Sequence, residues 1–177
     1  MTGVQTCALP ILSGNWGRFY QTISEAEFNS QKIYKNYDNP LDWLFDSWMG
    51  KGMMAVHAWL TPSKLIELAG DWNETLSINQ DGEFFSRVIL HTKKIIYCPE
   101  AYAFYRSGKN KSITNEMNDE KIHSLLNSYI LYKNNLESHS KLNKKVSLAL
   151  KNNLLHYVYR FYNLHPNLSQ KAIDEIK

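Results

Sequence analysis

The spacing of apolar residues changes at Asp119, and this change limits the folds open to the chain more than any other feature. Downstream, Ile122, Leu125, Leu126, Tyr129 and Ile130 fall at i, i+3, i+4, i+7 and i+8, which lays one apolar stripe along a helix. Leu142, Val146, Leu150, Leu154 and Val158 then recur at every fourth position, with Phe161 and Tyr162 beyond. A third helix is expected to begin near Asn167. Upstream the segments are short and of both kinds. Residues 53–60 are an apolar run between Gly52 and Pro62, as a buried strand would be. Thr61 and Pro62 read as the N-cap and first residue of a helix through about Ala69, stopped by Gly70. Asn79 reads as the cap of a second helix, with Phe84, Phe85, Val88 and Ile89 on one stripe. Residues 94–98 and 101–105 read as two strands parted by Pro99-Glu100. Short strands and helices in this order predict an α/β domain over residues 12–115 and a helical extension over residues 116–177. No internal repeat is present.

With 177 residues the chain has room for one ordinary domain, and 44% hydrophobic with 21% charged residues is the balance of a globular protein. The two cysteines, Cys7 and Cys98, form neither a disulfide framework nor a metal pair, so a reducing, cytoplasmic compartment is expected. No apolar run approaches the roughly 18–20 residues that span a bilayer. Residues 1–106 hold 9 basic and 11 acidic side chains, and residues 107–177 hold 11 basic and 6 acidic. A basic tail on a mildly acidic body is expected to meet an anionic partner, such as the inner face of a membrane. The basic residues are not interleaved with aromatics in a nucleic-acid motif, so nucleic acid is not expected. Thr2-Gly3-Val4-Gln5-Thr6-Cys7-Ala8-Leu9-Pro10-Ile11 resembles the translation of a sequencing-library adapter. Residues 1–11 are therefore set aside as a leader, with the gene expected to continue upstream of Leu12 and downstream of the helical ending at Lys177.

Two stretches carry the chemistry: Ala69-Gly70-Asp71-Trp72-Asn73-Glu74-Thr75-Leu76, and Gln80-Asp81-Gly82-Glu83-Phe84-Phe85-Ser86-Arg87. With His57-Ala58-Trp59-Leu60-Thr61-Pro62 before them, and Ala103-Phe104-Tyr105-Arg106 and Ser112-Ile113-Thr114 after, the set resembles family 2 glycosyltransferases of the GT-A fold. The resemblance runs from about Gly14 to Thr114. It implies a partial nucleotide-diphospho-sugar transferase domain from an inverting enzyme of polysaccharide synthesis, with a nucleotide-sugar donor and a glycan or lipid-linked acceptor.

In that family the Asp of the acidic pair is the base, which corresponds to Asp81. Inverting transfer needs one carboxylate to take the acceptor hydroxyl's proton, and a helix start favours its ionised form. Gln80 departs from the family's acidic residue and cannot take up a proton. Glu83 is the second candidate, as an acceptor ligand, and Arg87, six residues beyond Asp81 on the same helix, is expected to be a structural ion-pair partner. Trp59 and Trp72 could stack on a sugar, and His57 stands beside them, with core packing the competing role of all three. Arg106 and Lys109, with Lys111, could neutralise a leaving diphosphate. The family's Asp-x-Asp motif is absent from the 177 residues. A divalent cation, Mg²⁺ or Mn²⁺, is thus expected only in the intact parent, and the chain alone is expected to be inactive. The alternative is a non-catalytic interaction module whose basic helical tail docks on a membrane or partner protein.

Overall fold

The strand at the centre of the sheet is the one that the residue pattern hides. In the computed structural model, which describes residues 9–108 and 117–177, β1 spans Ile11–Phe19. Gly14, Asn15, Gly17 and Arg18 break its apolar alternation. Its neighbours make it a strand. β4 (Ile95–Arg106) pairs with it in parallel along its whole length. Two short antiparallel strands, β2 (Glu27–Phe28) and β3 (Trp59–Leu60), pair with its opposite ends. Ile11, the last residue of the segment set aside as a leader, is 0% exposed. Leu9 is also tied in, its carbonyl accepting from the Lys93 amide (3.1 Å) and the Thr92 hydroxyl (2.9 Å).

Residues 94–98 and 101–105 belong to one strand, not two. Pro99 and its neighbours bulge out where the register with β1 shifts. Asn15 holds the bulge, donating to the Pro99 carbonyl (2.7 Å) and accepting from the Tyr97 hydroxyl (2.6 Å). Residues 53–60 also differ from the expected strand. A 3-10 turn over Val56–Ala58 takes the middle of the run and leaves two residues for β3.

Among the described residues six helices complete a mixed α/β molecule: α1 Pro40–Trp48, α2 Ser63–Ala69, α3 Gln80–His91, α4 Asp119–Ser138, α5 Lys144–Phe161 and α6 Pro166–Ile176. Asn39 caps α1 by accepting from the Leu41 amide (3.1 Å), with Pro40 in the first turn. α2 begins at Ser63, one residue beyond the expected start, and ends at Gly70 with φ 76°, a value glycine adopts at little steric cost. Asn118 and Asn143 cap α4 and α5.

Ile11, Leu44, Leu65, Val88 and Ile95 form the core beneath the sheet. Ile122, Leu126, Leu154, Tyr157 and Phe161 form a second core among the last three helices. The helical extension does not stand apart. Trp48 packs against both cores and against Leu90, Leu136 and Val146 between them. No described helix is long and apolar enough to cross a membrane.

Candidate functional site

The loop from Gly70 to Asn79 delivers α3 to its place, and α4 holds that loop. Ser124 Oγ accepts from the amides of Ser77 (2.9 Å) and Ile78 (3.3 Å). The Asn79 side-chain amide donates to Ser128 Oγ and to the Tyr132 hydroxyl, both at 2.8 Å. Asn79 was expected to cap α3 with its side chain. It does occupy the N-cap position, but with φ 62° and ψ 24°, and its side chain makes no cap bond. The left-handed backbone, which asparagine tolerates better than most residues, turns its side chain towards α4. Gly82 follows from the same geometry: a Cβ there would strike the Tyr132 hydroxyl and the Asn79 side-chain oxygen. Burial pushes the Tyr132 phenol far above its ordinary range, so it stays protonated.

This anchoring sets Asp81 in the first turn of α3, half-exposed, with one oxygen accepting from the Gly82 amide (2.9 Å). Asp81 lines a cleft of about 250 Å³ walled by Trp43, Trp48, Met53, Trp59 and Phe85. On its other side it borders a more open hollow lined by Val56, Trp72, Glu74 and Gln80. The carboxylate therefore stands on the rim between two concavities. The indole N–H of Trp43, in the wall of the cleft, is shielded from solvent and has no hydrogen-bond partner among the described residues.

The other expected site residues divide. Trp59 lines the Asp81 cleft, stacked on Phe85 (5.7 Å) and edge-on to Trp43 (5.1 Å). Trp72 lines the open hollow, 43% exposed, with its ring against Phe84 at 4.5 Å. His57, expected in a buried strand, is instead exposed on the 3-10 turn, stacked on Tyr105 (5.5 Å). It lines a different cavity, with Leu60, Cys98 and Tyr102. Arg106 ends β4, exposed over the Phe19 ring and donating to the Gln21 carbonyl (3.4 Å). It is not among the residues lining either Asp81 concavity. Lys109 and Lys111 lie outside the described residues.

Glu83 does not serve as a ligand facing the cleft. It is 2% exposed, and its carboxylate is taken by Arg87 through two bonds (2.8 and 2.9 Å) and by the Asn135 amide (3.1 Å). A buried carboxylate needs such partners. Arg87 is the structural ion-pair residue it was expected to be, and its partner is Glu83, one turn away. Its remaining N–H groups reach the Ala69 and Asp71 carbonyls, clamping the loop that carries Trp72.

Among the described residues no group of three His, Cys, Asp or Glu side chains could hold a metal ion. With Glu83 spent on Arg87, Asp81 and Glu74 are the carboxylates left on these walls. A hard divalent cation needs a fuller oxygen set, so these residues do not fit one.

Ser124, Ser128 and Tyr132, which position the acid from the extension, escape a reading by apolar period. Their signal is a polar row at every fourth residue of α4, beside the stripe that marks the helix. Compared with protein-family models, with curated proteins and with solved structures, the chain finds no match.

Proposed function

We propose that this chain is the acceptor-side part of an inverting glycosyltransferase that uses a nucleotide-sugar donor and a glycan or lipid-linked acceptor. The observation that carries the reading is Asp81, a half-exposed carboxylate at the N-terminus of a rigidly anchored helix, on the rim of an aromatic-walled cleft. Aromatic walls suit the apolar faces of a sugar.

In the proposed reaction an acceptor hydroxyl lies against Asp81. The carboxylate takes its proton as the oxygen attacks the anomeric carbon from the face opposite the leaving group. The bond from that carbon to the diphosphate breaks, the nucleoside diphosphate departs with the electron pair, and the anomeric configuration inverts. Balancing of the diphosphate's charge by Arg106 remains what the resemblance implies, since Arg106 lines neither concavity beside Asp81. The Asp-x-Asp pair that would hold a divalent cation and the donor is not in these 177 residues, so the chain alone does not turn over. In this reading it works at the inner face of the membrane.

The test is nucleoside diphosphate release from a panel of nucleotide sugars, catalysed by the protein expressed with its upstream reading frame. Asp81→Asn is expected to lower kcat by roughly 10²–10⁴-fold while donor affinity stays within a factor of about two. Turnover equal to wild type would remove Asp81 from the chemistry and the sugar-transfer reading with it.

A further inference from the structure

The strongest unexplained surface is the solvent face of α5. Its inner face holds Val146, Ala149, Leu150, Leu154, Tyr157 and Phe161, all buried. An amphipathic helix of a globular protein should then be polar on the other side. α5 is not. Lys144, Leu148, Lys151, Leu155, Tyr159 and Tyr162 follow one another at steps of three or four residues, which at 100° per residue places them on one stripe. Tyr159 is 90% exposed, and Leu148, Leu155 and Tyr162 are each more than half exposed, as is Leu164 just beyond the helix. The stripe is roughly 27 Å long at 1.5 Å per residue.

The charge on this helix has one sign. Lys144–Phe161 contains three lysines and one arginine and no acidic residue. Lys145, at the edge of the stripe, is occupied by Asp42 at 2.5 Å, whereas Lys144 and Lys151 have no acidic partner among the described residues. Leucines, two exposed tyrosines and unneutralised lysines on one face match a lipid interface: acyl chains below, headgroups at ring level, phosphates at the ammonium groups. A second copy of α5 would bring these lysines against their own kind, which like-charge repulsion opposes.

We propose that the outer face of α5 docks flat on an anionic lipid surface, with Leu148 and Leu155 entering the headgroup boundary. This proposal does not rest on the sugar-transfer reading. It concerns another face, and its test does not involve Asp81.

The 177-residue chain is mixed with vesicles of phosphatidylcholine alone, or with roughly one third phosphatidylglycerol, and the bound share is read by flotation. Binding is expected on the anionic vesicles only, and to fall as salt rises to about 0.5 M, where charges are screened within a few ångströms. Leu148→Ser with Leu155→Ser, and separately Lys144→Gln with Lys151→Gln, should each weaken partitioning tenfold or more, at on the order of fivefold per lysine. Because these side chains face solvent, the melting temperature should hold, and the lysine pair remains a test if the leucine pair unfolds. Equal binding to neutral and anionic vesicles, or unchanged binding by the folded lysine pair, would overturn the proposal. So would a dimer seen by sedimentation velocity that the leucine pair dissolves, since that assigns the face to a second copy.

Discussion

Gly82 and Asp46 show how single residues are fixed by what lies across from them. A glycine inside a helix costs about 1 kcal/mol relative to alanine, so Gly82→Ala would ordinarily stabilise α3. Here the added methyl meets the Tyr132 hydroxyl and the Asn79 side chain. The expected outcome is a loss of roughly 1–3 kcal/mol, as for an overpacked core, measured by urea unfolding. Tyr132→Phe removes one of the two obstructing atoms, so the alanine should cost less in that background; equal costs in both backgrounds would show that Tyr132 is not the obstacle. Asp46 is buried and accepts from Tyr37 (3.0 Å), Lys51 (2.7 Å) and Lys35 (2.9 Å). Burial alone would raise its pKa, but the bonds from Lys51, Lys35 and Tyr37 outweigh it and hold the group at about 2, below its ordinary 3.8. A lowered carboxylate stabilises the fold above the unfolded value and loses that stabilisation as pH falls through the folded one. Stability should therefore drop by up to about 2 kcal/mol between roughly pH 4 and 2. Urea melts of Asp46→Asn across this range should show a flatter slope.

At the scale of elements, α3 is held from both sides. Its buried Glu83–Arg87 pair ties it to the end of α2 and the Asp71 carbonyl, and the loop before it hangs from α4. Arg87→Ala leaves Glu83 buried with only Asn135, and removing one partner of such a pair costs about 3–5 kcal/mol. The loop should loosen in step: amide exchange at residues 70–73 should quicken more than in the core of α3. Unchanged protection there would mean that the clamp is not what orders the Trp72 loop. The apolar period encodes these helices well, because it reports which face each one buries. It says little about β1, whose glycines and Asn15 answer to β4 across the sheet.

For the whole molecule, the question is whether the helical extension is an appendage. Trp48 touches both cores, its ring stacked on Tyr132 at 4.7 Å, and its carbonyl accepts from Asn152 (3.2 Å). Trp48→Ala should cost about 3–5 kcal/mol and split one calorimetric transition into two, the helical layer melting first. A single transition at a lower temperature would mean that the α1–α5 and α3–α4 contacts suffice to couple the halves. That coupling matters for the cleft, because Tyr132 lines it from α4 while Trp43 and Trp59 line it from the α/β part.

What the residues declare by themselves is local: the stripes of α3 to α5, the stop at Gly70, and an acid in the first turn of a helix. Each depends on a spacing of a few residues. Only the folded chain decided that Asn79 reaches Tyr132, that Glu83 turns inward to Asn135, that His57 leaves the core, and that Ile11 opens the central strand. Those outcomes join positions about 50 to 80 residues apart, and a periodic pattern carries no information about which distant partner a side chain or strand edge will meet.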